Sequence, residues 1–222
     1  MAACLYDSRL PFVATPFWDS FGKSFLKMFE VFANYLRVNG GLTDEDLKLV
    51  EMVTIPKRIR KRQYLLQEGD VSRYNTFITK GCLRLYRVGN DGAEYILRFA
   101  VENWWISDYE SYHSGLPSKF NIDALEDSEL LLIEKEKFDS LCETIPRFRK
   151  LRETLDNKNF EVSQNRILSN ISETTEEKYF NFVNMCPHIY NRVPLHMLAS
   201  FLGVSRETLS RMRQHQLKKT GN

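Results

Sequence analysis

Leu195-His196-Met197-Leu198-Ala199-Ser200-Phe201-Leu202-Gly203-Val204-Ser205-Arg206-Glu207-Thr208-Leu209-Ser210-Arg211-Met212 is the stretch on which the reading of the chain turns. Leu195, Leu198 and Leu202 recur at helical spacing and form the inward face of a first helix. Ala199 is small where a second helix must come close. Gly203 stands at the bend, where a positive φ is usually required. Val204 fits into the turn and Ser205 suits an N-cap. Leu209 and Met212 then supply the inward face of the second helix, so the spacing and residue types predict a helix-turn-helix.

The outward face of that second helix carries Arg206, Glu207, Ser210, Arg211 and Arg213, with Ser205 at its start. Arginine can donate bidentately to guanine O6 and N7, and glutamate can accept from cytosine N4. A serine at a helix N-terminus can meet a phosphate through its hydroxyl and backbone N–H. A helical hairpin with a merely solvated basic face shares this spacing. The glycine bend, the small residue four positions before it and the basic outer face favour a DNA reader. Charge distribution agrees. From Arg192 onward there are six basic residues (Arg192, Arg206, Arg211, Arg213, Lys218, Lys219) and one acidic residue, Glu207. That tail is strongly basic although the whole chain carries only +2.

Upstream, Pro146 suits the first turn of a long helix. Phe148, Leu151, Leu155 and Val162 share one stripe; Phe160, Ile167 and Ile171 share another. Two stripes imply that one face packs on the chain's own domain and the other on a second copy. Phe148, Leu151, Leu155 and Val162 are assigned to the dimer interface. The alternative is a lone amphipathic helix lying on its own domain.

Between about Val53 and Ile133 the pattern is one of short strands. Gly89-Asn90-Asp91-Gly92 is a hairpin signal. After it, Tyr95, Leu97, Phe99 and Val101 alternate with Glu94, Ile96, Arg98 and Ala100, which predicts a half-buried strand. A Ser-, Gly- and Pro-rich loop is expected over Ser107–Ser118, followed by strands near Asn121–Leu125 and Glu129–Ile133. Close turns without intervening helices imply an antiparallel barrel or sandwich. Before it, Phe25, Phe29, Phe32 and Leu36 predict a helix that stops at Asn39-Gly40-Gly41, and Thr43 caps a second.

The fold class is therefore α+β: an antiparallel β-barrel (double-stranded β-helix or jelly roll), a long dimerisation helix and a C-terminal helix-turn-helix domain. The expected divisions are an irregular extension over residues 1–27, a barrel domain with N-terminal helices over 28–137, the connecting helix over 138–171 and the helix-turn-helix domain over 172–222. Composition is that of a globular chain, 43% hydrophobic and 27% charged. Cys4, Cys82, Cys142 and Cys186 have no paired spacing, which argues for reduced thiols and against a disulfide scaffold or a compact zinc or iron–sulfur site. No segment reaches the roughly 20 apolar residues of a membrane span, and no signal-peptide pattern opens the chain, so a cytoplasmic protein without a membrane partner is expected.

Gly203-Val204-Ser205-Arg206-Glu207-Thr208-Leu209-Ser210-Arg211 resembles the recognition-helix motif of the Crp–Fnr family of bacterial transcription regulators. Leu65-Leu66-Gln67-Glu68-Gly69-Asp70 and Gly81 with Leu83-Arg84-Leu85-Tyr86 resemble glycine-marked strands of that family's cyclic-nucleotide-binding fold. The resemblance covers roughly residues 40–217. It implies base contacts by Arg206, Glu207 and Arg211, a phosphate contact by Ser205, a homodimer on a near-palindromic duplex, and RNA polymerase as a protein partner.

Two departures stand out. Cyclic-nucleotide-responsive members carry a Gly-Glu pair and, about ten residues later, an Arg-Ser pair. Here Ser107 and Asp108 take the first two places and Ser118, beside Lys119, stands where the arginine belongs. No tight cyclic AMP binding is expected, because the guanidinium that neutralises the cyclic phosphate is missing. The ligand-pocket candidates are Tyr95, Leu97, Phe99, Ser107, Asp108, Ser118 and Lys119, for a small-molecule effector of unspecified identity. No cofactor or metal is required. The family's β-hairpin wing also has no room in Gln214–Asn222, where Lys218 and Lys219 could replace some of its phosphate contacts. Cys4 alone cannot hold the family's iron–sulfur cluster, and His113 is the one barrel-region histidine that a haem could use. At most one of Trp104 and Trp105 can face a pocket. The competing readings are a ligand-binding module that acts on a protein partner without DNA, and a cupin-like barrel enzyme, which would need clustered histidines that the barrel region lacks.

Overall fold

The computed structural model describes the backbone of residues 16–220 and the side chains of residues 22–214. Cys4 and the side chains of His215, Lys218 and Lys219 lie outside the described residues. The first helix, α1 (Pro16–Gly40), begins well before residue 28. Residues 16–27 are thus helical rather than irregular: Pro16 occupies a first-turn position, where its missing N–H costs nothing. The helix α2 (Asp44–Val53) opens on a capping box in which Thr43 and Asp46 satisfy each other's backbone N–H groups.

Eight strands follow: β1 (Thr54–Ile59), β2 (Tyr64–Leu66), β3 (Tyr74–Lys80), β4 (Leu83–Val88), β5 (Glu94–Ala100), β6 (Trp105–Ile106), β7 (Asn121–Ala124) and β8 (Ser128–Glu134). They form two antiparallel four-stranded sheets, ordered β1-β8-β3-β6 and β2-β7-β4-β5, so the jelly roll is a sandwich that does not close into a barrel. The segment expected as a plain loop contains a helix, α3 (Tyr109–Ser114). Asp108 caps its start, and Gly115, at φ 72°, ends it. Beyond the roll come α4 (Lys135–Thr144), α5 (Pro146–Ser172), α6 (Thr175–Met185), α7 (Pro187–Tyr190), α8 (Leu195–Leu202) and α9 (Arg206–Thr220).

Three apolar clusters hold the chain together. Ile59, Ile78, Leu83, Ile106, Ile122 and Leu130 fill the space between the sheets. Phe32 and Leu36 of α1 pack with Phe77, Leu131, Phe138 and Phe148 on the outer side of one sheet. Tyr86, Ile96, Phe99 and Val101, on the outer side of the other, pack with Tyr179, Phe182, Leu198 and Leu209. The C-terminal helices are therefore seated on the β4–β5 hairpin.

The second cluster overturns the dimer-interface assignment for the start of α5. Phe148 is 1% exposed and Leu151 4%, both within the chain's own core, and Leu155 packs against them half-buried. The cause is the short connection at Ile145, which lays the first turns of α5 against α4. Val162 lies beyond that core and is exposed, as are Phe160, Ile167, Leu168 and Ile171. No helix of the described residues is long and apolar enough to cross a membrane.

Candidate nucleic-acid interface and ligand cavity

Gly203 adopts φ 69° and ψ 34° and ends α8, and the Val204 N–H donates to the Ala199 carbonyl at 3.0 Å. Such a left-handed turn suits glycine. Ser205 then accepts from the Thr208 N–H at 3.2 Å, capping α9, and its hydroxyl pairs with that of Thr208 at 3.0 Å. Leu198, Ala199, Leu202 and Leu209 are buried between the helices. Arg206, Glu207 and Arg211 are exposed and Ser210 is half-buried. The Glu207 carboxyl is held below its ordinary range first by its own backbone N–H and then by the Ser205 hydroxyl, so it is an ionised acceptor at neutral pH. Arg213 leans back, its guanidinium 5.5 Å from the centre of the Tyr190 ring. Residues 206–220 are one continuous helix.

Polar ties fix this helix pair to the roll. Ser200 donates to the Glu94 carbonyl at 2.6 Å and accepts from the Ile96 N–H at 3.1 Å. Arg192 meets Glu102 through two nitrogens, at 2.7 and 2.9 Å, and also pairs with Glu126. Burial works against the Glu102 carboxylate, yet hydrogen bonds from Arg192 and the Gly81 N–H outweigh it and hold the carboxyl at about 2. Arg166 of α5 donates to the carbonyls of Leu97, Ile96 and Phe201, and so touches the long helix, β5 and α8 at once.

A cavity of about 430 Å³ lies between the roll and α5, with Leu97, Arg98, Trp105, Tyr112, Phe120 and Arg166 in its wall. Of the expected ligand-pocket residues it includes Leu97, Ser107 and Asp108. Tyr95 is exposed and donates to Asp91. Phe99 faces away from the pocket, its ring 5.2 Å from that of Phe201. Ser118 is buried and donates to Asp108 at 2.7 Å, while Lys119 pairs with Glu110 at 2.8 Å on the surface. The phase of β5 explains the difference. A bulge between Leu85 and Tyr86 sets Leu85 opposite Arg98 and Tyr86 opposite Ile96, and the docked helices give the outer face its apolar residues. Arg98 is consequently the inward-facing residue, and a pattern that equates apolar with inward passes over it. Trp105 lines the cavity and Trp104 is exposed. His113 also lines it, its ring 4.2 Å from that of Tyr109, with its pKa lowered first by burial and then by Arg152.

Residues 56–145 match the model of the cyclic nucleotide-binding domain family. The chain is similar to the transcriptional activator protein anr of Pseudomonas aeruginosa, at 24% identity over 187 residues, 77% of this chain and 74% of that protein. Solved structures share the fold, among them the following two. FixK2 from Bradyrhizobium japonicum has a TM-score of 0.66 and 19% identity, over 76% of this chain and 86% of its own. A structure described as a transcriptional regulator of the crp/fnr family from Eubacterium rectale has a TM-score of 0.63 and 18% identity, over 83% and 88%.

Proposed function

We propose that this chain is a transcription regulator of the Crp–Fnr family, and that it reads a specific DNA sequence as a cytoplasmic homodimer with α9 in the major groove. The observation that carries the reading is the exposed set Arg206, Glu207 and Arg211 on a helix capped by Ser205 and braced through Leu209. These groups match the donors and acceptors of guanine and cytosine edges. The capped N-terminus suits a phosphate.

Dimerisation is assigned to the exposed apolar residues of α5 (Phe160, Ile167, Leu168 and Ile171), since the earlier part of that helix is occupied by its own core. Two copies related by a two-fold axis would carry their α9 helices about 34 Å apart, matching successive major grooves on one side of the duplex. RNA polymerase is the expected protein partner of such a regulator.

The roll is the effector domain, and cyclic AMP is not its ligand. Ser118 stands at the place of the phosphate-binding arginine and spends its hydroxyl on Asp108, so that segment offers the cyclic phosphate no guanidinium. Selection of random duplexes against the purified protein tests the function. An inverted repeat with half-sites about one helical turn apart is expected. Recovery of no shared motif would overturn the proposal.

A further inference from the structure

Arg98 projects from β5 to the inner side of the roll, opposite Leu85. Among the described residues it makes no ion pair or hydrogen bond, and burial alone acts on its charge, drawing its pKa down. Arg98 is half-buried, and a partly desolvated cation without a partner is costly, so such a group is expected to meet an anion. Arg166 reaches the same cavity from α5. Its hydrogen bonds go to backbone carbonyls rather than to carboxylates, and its pKa is lowered first by burial and then by repulsion from Arg98. Two guanidiniums without a carboxylate counter-charge thus border one space.

The remaining lining narrows the ligand. Asp108 is occupied by Ser118 and the Glu110 N–H, Glu110 by Lys119 and Asp156 by Arg152, so none of the three neutralises Arg98. Their carboxylates nevertheless border the cavity and oppose a polyanion. Leu85, Leu97, Trp105, Phe120 and Leu155 give the wall a large apolar share. Among the described residues the buried Tyr112 hydroxyl has no partner. Trp105 Nε1 lies beside the Tyr35 hydroxyl, so Tyr112 is the clearer orphan. A volume of about 430 Å³ is within the usual range for small-molecule sites.

We propose that this cavity binds a small organic monocarboxylate, with its carboxylate at Arg98 and Arg166 and its apolar body against Leu97, Trp105 and Phe120. The proposal rests on the reading of the roll as an effector domain and places the anchor on β5, away from the 107–119 segment. Because Arg166 also holds the Phe201 carbonyl of α8, an anion that engages it couples occupancy of the cavity to the seating of the helix-turn-helix.

The test is the thermal midpoint of the full chain, without DNA, titrated separately with benzoate, hexanoate, inorganic phosphate and cyclic AMP. A midpoint that rises with the logarithm of monocarboxylate concentration is expected, with much smaller shifts for phosphate and cyclic AMP. Arg98→Met should raise the ligand-free midpoint, by removing an unpaired, half-buried charge, and abolish the response. Arg98→Lys should keep a weaker one. No response to millimolar monocarboxylate, an undiminished response in Arg98→Met, or a preference for phosphate or cyclic AMP would overturn the proposal. A lowered ligand-free midpoint in Arg98→Met would also overturn it, since the charge would then already have a partner in the assembled protein. Since DNA is left out, failure here leaves the DNA-binding reading standing, and a failed duplex selection leaves the anion site standing.

Discussion

Arg192→Ala removes the guanidinium that joins the C-terminal helices to Glu102 and Glu126. Fully exposed ion pairs contribute about 0.2–1 kcal/mol, and charge-assisted bidentate ones lie higher. Here the side chains are 25%, 35% and 39% exposed, so solvent screens the network in part. An expected loss of about 1–2 kcal/mol follows, a 5- to 30-fold shift away from the seated arrangement. The assay is a double-mutant cycle of Arg192→Ala with Glu102→Gln, read by urea unfolding. A coupling energy of about 1 kcal/mol or more is expected, because the two groups meet through two hydrogen bonds. pH gives an independent reading. The Glu102 carboxyl is depressed from its ordinary 4.5 to about 2, so its contribution is fully present above about pH 5 and fades as pH falls through 4.5 toward 2. Strictly additive single and double variants, or a coupling unchanged between pH 7 and pH 3, would refute the reasoning.

Further outcomes follow from local geometry. Gly81 has φ 114°, and a Cβ there would lie 2.8 Å from the Ser128 Cα, so Gly81→Ala should cost about 2–4 kcal/mol in urea unfolding. Gly203→Ala meets open space at φ 69° and should cost only about 1 kcal/mol, which makes the pair a test of steric clash against backbone strain alone. Phe160→Glu combined with Ile171→Glu places charge on the exposed face of α5 and should shift a dimer to monomer in sedimentation, with the roll still folded.

The legible parts of the chain were those where one local rule dominates. The α8–α9 turn could be read because Gly203, Ser205 and the Leu198–Leu202–Leu209 spacing each demand the same geometry. The β4–β5 hairpin was legible for the same reason, in its Asn, Asp and Gly turn residues. What escaped depended on partners distant in sequence. Phe99 is apolar because Phe201 of α8 covers it, which inverts the usual meaning of alternation in β5 and hides Arg98. Phe148 and Leu151 show the same stripe whether the partner is a second copy or the chain's own α1 and α4, and only the packed structure separates the two. Asp108 and Ser118, both expected at the ligand pocket, hydrogen-bond to each other while Asp108 caps α3 and borders the cavity.

The reading of α9 as a base-reading helix is tested most directly by Arg211→Ala, titrated with the selected duplex and with a set substituted at every base pair. Arg211 is exposed on the outward side of α9, with a 3.5 Å contact to Thr208 Oγ1 among the described residues. A loss of about 1–3 kcal/mol is expected, with discrimination relaxed at one base pair of each half-site and retained elsewhere. A uniform loss across all sequences would make Arg211 a phosphate contact, and unchanged affinity and specificity would contradict the account outright.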